Sequence, residues 1–63
     1  MRFNKGDLVT IKYPSKKLYP KYVGLIIEVQ NRSAQNPLWD SFWVLMNGEM
    51  EVFPHRTLEY YGN

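Results

Sequence analysis

The run Phe42-Trp43-Val44-Leu45-Met46-Asn47-Gly48-Glu49-Met50-Glu51-Val52-Phe53 decides how this chain is read. Asn-Gly is the preferred pair for a two-residue type I′ turn, because both central positions need positive φ. A turn at Asn47-Gly48 fixes the register around it. Met46 faces Glu49, Leu45 faces Met50, Val44 faces Glu51, Trp43 faces Val52 and Phe42 faces Phe53. Directly opposed residues share a sheet face. One face is then Trp43, Leu45, Met50 and Val52, wholly apolar, and is expected to form the core. The other holds Phe42, Val44, Met46 and Phe53 with Glu49 and Glu51, and is expected to face away from it. A slip of one residue would exchange the two faces.

The rest of the chain fits an all-β meander, with β-branched and aromatic residues in short runs between turn residues and no helical stripe. Strands are expected at roughly 7–13, 22–31, 41–46, 49–53 and 58–61. The first opens at Lys5-Gly6-Asp7 and stops at Pro14. Two prolines make 14–21 a loop, because proline cannot donate to a ladder. In the second strand, alternation groups Val23, Leu25, Ile27 and Val29, with Ile26 on the opposite face and Gly24 suited to a bulge. Residues 32–40 read as a second loop, mobile at Ser33 to Asn36. Pro54-His55-Arg56-Thr57 reads as one 3₁₀ turn that returns Leu58 to the core. Leu58 and Tyr60 then share one face, Glu59 and Tyr61 the other.

Sixty-three residues make one domain, 1–63, and a chain this short buries only about 60% of its unfolded surface. A hydrophobic share of 44% and an aromatic share of 16% favour a packed globule over a disordered chain. With no cysteine and the single His55, neither disulfides nor a metal site is expected, and no cofactor. Lack of cysteine fits a reducing compartment, so a cytoplasmic location is expected. No apolar run approaches the ~20 residues of a membrane span, and the first residues lack a signal-peptide core. No membrane partner is therefore expected. Asn31-Arg32-Ser33 matches a glycosylation sequon, read here as a chance match.

The segments KGDLVTI (5–11), YVGLIIEV (22–29), the Asn47-Gly48 hairpin and FPHRTLEYY (53–61) together resemble small SH3-like barrels of the KOW and Tudor kind. They look most like the very short barrel proteins common in tailed-phage genomes, often of unassigned function. The resemblance covers nearly the whole chain. It implies a five-stranded SH3-like barrel with a 3₁₀ turn before the last strand, and a place in host cytoplasm or virion. The chain departs from peptide-binding SH3 domains, which carry an acidic first loop and an ALYDY motif. Here that loop holds Lys16, Lys17 and Lys21, so proline-rich recognition is not expected.

Catalysis is not expected either. One histidine and no cysteine leave few nucleophile–base pairs, and Gly6, Gly24, Gly48 and Gly62 are isolated, so no phosphate loop exists. Glu49 and Glu51 share a sheet face but read as solvated hairpin acids. No small-molecule substrate follows. Two binding readings remain. The first is a protein-interaction module, a phage accessory or virion component for instance, docking or self-associating through Phe42, Val44, Met46 and Phe53, with Trp39 extending the patch. Its counter-reading folds Leu38 and Trp39 over that patch as a lid. The second is nucleic-acid binding by Lys12, Tyr13, Lys16, Lys17, Tyr19, Lys21 and Tyr22, where lysines contact phosphates and tyrosines stack on bases. Charge is split to match: residues 1–21 hold six basic side chains against Asp7, whereas 22–63 hold two against five acids, within a net +2.

Overall fold

The computed structural model describes residues 2–12 and 23–61. Among them, five strands form one antiparallel sheet: β1 (Leu8–Ile11), β2 (Val23–Asn31), β3 (Ser41–Met46), β4 (Glu49–Pro54) and β5 (Leu58–Tyr60). The strand order is β4-β3-β2-β1-β5, so the last strand returns beside the first. Two 3₁₀ turns, Pro37–Trp39 and His55–Thr57, connect β2 to β3 and β4 to β5. The expected barrel closure is not seen: among the described residues no ladder joins β4 to β5, and the sheet is open. β5 is three residues long, and its ladder runs with β1, from Val9↔Tyr60 to Ile11↔Leu58.

The hairpin register is the one dictated by its turn. Asn47 and Gly48 have φ of 55° and 76°, and pairing runs from Met46↔Glu49 to Phe42↔Phe53 and on to Ser41↔Pro54. The face assignment is reversed. Phe42 and Val44 are 0% exposed, whereas Trp43 and Leu45 are each 38% exposed. The core is Phe3, Val9, Ile11, Ile26, Phe42, Val44 and Leu58, with Val29, Met46 and Phe53 packed against it. The physical reason lies in strand order. β4 is an edge, and Glu49 and Glu51 lie on its core-side face yet remain exposed, at the rim where water reaches them. Two glutamates on that face therefore cost nothing, and the inner positions of the central strand β3 decide which side is dry.

β2 shows the same inversion for half its length. Gly24 and Ile26 point inward; the register then shifts between Ile26 and Glu28, and Val29, opposite Phe42, rejoins the core. The bulge thus sits at Ile27 rather than at Gly24. What Gly24 provides is space, since a Cβ there would collide with the Val44 side chain and come within 2.8 Å of Met46 Cε. Its bare backbone lets β2 and β3 approach closely.

Candidate interaction surface

The residues expected to form a docking patch separate once the faces are known. Phe42 and Val44 are core, and Met46 and Phe53 are half-buried against it, so they form no exposed surface together. Trp39 is exposed, as is Leu38; the turn that carries them does not cover the sheet as a lid. Of the lysine–tyrosine set, Lys12 is exposed at the end of β1. Tyr13, Lys16, Lys17, Tyr19, Lys21 and Tyr22 lie outside the described residues.

The surface that does assemble is the opposite side of the sheet. Register places Met50 opposite Leu45, Leu45 opposite Leu25, and Leu25 opposite Leu8. The Tyr61 amide donates to the Leu8 carbonyl at 3.1 Å, which continues the row past β5. Met50, Leu45, Leu25 and Leu8 therefore form one apolar row across four strands, which Tyr61, just past β5, extends. Val52 and Trp43 form a second, shorter pair beside it, continued by Glu28. Apart from half-buried Leu25, every apolar member of these rows is exposed. Sequence alternation identifies four of these residues as one face. It assigns that face to the wrong side.

A second cluster, polar and buried, has no counterpart among the sequence expectations. Asp40 is 0% exposed and follows the Pro37–Trp39 turn, which Asn36 caps by accepting the Leu38 amide. Its carboxylate accepts from the Ser33 amide at 2.7 Å, and pairs with Arg2 at 3.2 Å and Arg32 at 3.3 Å. Arg2 also donates to the Ser33 carbonyl, and Arg32 to the Phe3 carbonyl. Burial pushes the Asp40 carboxyl up, but the Ser33 amide and both guanidinium groups together hold it below its ordinary value of 3.8. The Ser33 hydroxyl accepts the Gln35 and Asn36 amides. The segment expected to be mobile is thus fastened by named hydrogen bonds.

His55 borders this cluster. Its amide donates to the Asp40 carbonyl at 2.9 Å, and its ring lies 4.8 Å from that of Phe3. Burial pushes its pKa below 6.5; Asp40 opposes that shift, while Lys12 and Arg2 add to it. The arrangement ties the N-terminal segment to the 32–40 turn and to the second 3₁₀ turn. Both guanidinium groups donate to protein acceptors, while Arg2 Nε and His55 Nδ1 are buried with no hydrogen-bond partner among the described residues. Among the described residues, no three His, Cys, Asp or Glu side chains group to hold a metal. No helix among them is long and apolar enough to cross a membrane.

Compared with known proteins, the chain matches no family model, no curated protein and no solved structure.

Proposed function

We propose that this chain is a non-enzymatic protein-interaction module that docks through the outer face of its sheet. The observation that carries the reading is the apolar row from Met50 to Tyr61, flanked by Trp43 and Val52. Small domains seldom leave such a continuous apolar set in water, and the methionine and tyrosine at its ends and the tryptophan beside it are side-chain types enriched in interfaces. The meander order, with β5 returned beside β1 after a 3₁₀ turn, supports an SH3-like reading of the fold, in which loops and sheet surface serve binding.

The test is affinity capture from the native cell with tagged wild-type chain and with Trp43→Ser/Leu45→Ser. A protein partner retained by the wild type is expected to be lost by the double variant, and retained by Lys5→Ala, a control outside the row. Capture indifferent to the double variant overturns the reading. Recovery of nucleic acid that depends on Lys12, Lys16 and Lys17 would replace it with the lysine–tyrosine alternative.

A further inference from the structure

The outer face ends at β4, and β4 is an edge of the sheet. Antiparallel ladders alternate between residues that exchange bonds with the partner strand and residues that point their backbone groups away from it. A two-residue turn makes Met46 and Glu49 a bonded pair, so Glu49, Glu51 and Phe53 bond to β3. Met50 and Val52 then direct their N–H and C=O groups outward. Pro54 occupies the next outward position and has no N–H, which ends the series. The edge left open is short, bounded by the Asn47-Gly48 turn and by Pro54.

Its side chains carry a pattern. On the outer face are Met50 and Val52; on the other are Glu49 and Glu51, all four exposed. Among the described residues neither glutamate forms an ion pair. Resting on the docking reading above, we propose that the partner adds an extended strand to β4, and that this strand alternates basic and apolar residues. Its basic side chains lie opposite Glu49 and Glu51. Its apolar ones lie opposite Met50 and Val52, and extend the apolar row by one more strand. Opposite charges directly across a sheet attract, and backbone bonds to the edge hold the register.

A second copy of the chain is a poorer occupant of this edge. Antiparallel self-pairing centred on Glu51 sets that residue against its own copy. Centred on Met50, it sets Glu49 against Glu51. Centred on Val52, it puts Pro54 opposite Met50 and loses the N–H that should complete the pair. Like charges directly opposed are destabilising, so the glutamates guard the edge against self-pairing while inviting a basic strand.

The experiment titrates the full chain with a capped peptide, Lys-Val-Lys-Val-Lys-Val, and with its counterpart, Glu-Val-Glu-Val-Glu-Val, followed by amide NMR. The lysine peptide is expected to slow hydrogen exchange at the Met50 and Val52 amides and to bind about three- to tenfold more tightly than the glutamate peptide. Glu49→Lys/Glu51→Lys, at exposed positions, should reverse that preference. Binding away from β4, or a preference that does not reverse, overturns the proposal. So does a dimer in sedimentation that dissociates on Met50→Pro. So does a large gain in lysine-peptide affinity on replacing Lys16, Lys17 and Lys21, which would mark the chain's own basic segment as the occupant. Partner capture that depends on Trp43 and Leu45 beside a peptide preference indifferent to Glu49 and Glu51 leaves the docking face standing and removes the strand addition alone.

Discussion

At the residue scale, the one buried charge among the described residues is compensated from three directions. Asp40 takes a backbone amide and two guanidinium groups, which satisfies a carboxylate that burial alone would neutralise. Because its folded pKa lies below 3.8, its contribution to stability is present above that pH and lost as pH falls through the lower folded value. His55 behaves in the same sense for a different reason. Its folded pKa lies below 6.5, so the unfolded chain binds its proton first, and stability falls as pH drops from 6.5 through the folded value. Urea midpoints measured against pH should therefore be level from about 7 to about 9 and, below that range, decline in two steps. His55→Asn should abolish the upper step. Asp40→Asn should abolish the lower step and cost about 1–3 kcal/mol at neutral pH through weakened charge-assisted bonds. A single decline below pH 4 that His55→Asn leaves unchanged would contradict the assignment.

At the element scale, the five strands lie close to where alternation and turn residues place them. The hairpin is the clearest case, since Asn47-Gly48 admits one register and β3 and β4 adopt it. β2 is less legible. Its apolar residues occupy both parities, so nothing local says where the strand changes phase; the shift at Ile27 is set by pairing with β3. Gly24 marks the place where the two strands come closest. Gly24→Ala should lower stability by about 1–3 kcal/mol through overpacking against Val44 and Met46, checked by urea denaturation. Truncating Met46 in the same background should restore part of that loss, because its methyl is one of the two obstructing groups.

At the scale of the whole molecule, the two faces of the sheet differ sharply in what they contribute. Phe3 packs edge-on against Phe42 with ring centroids 5.8 Å apart, and Tyr60 packs at a tilt against Phe3 while its hydroxyl donates to the Arg2 carbonyl. The N-terminal segment thereby closes one end of the core. A domain of this length has a total stability of only about 3–9 kcal/mol. Phe42→Ala should remove about 3–5 kcal/mol and leave much of the chain unfolded, whereas Trp43→Ser should cost about 1 kcal/mol or less. Equal losses in urea denaturation would mean that both faces are core and that no docking surface is free.

Strand number, strand limits and hairpin register can all be read from residues close together in the chain. They rest on turn stereochemistry and period-two alternation, which are local. Which face is dry cannot be read that way. Both faces of the hairpin are rich in apolar residues, and the choice depends on β4 being an edge, where Glu49 and Glu51 reach water from the inner side. The Asp40 cluster is hidden for a related reason. Arg32, Ser33 and Asp40 share the 32–40 segment but Arg2 comes from the far end of the chain, and a charged residue in a loop gives no sign that it will be buried until the groups that neutralise it have folded around it.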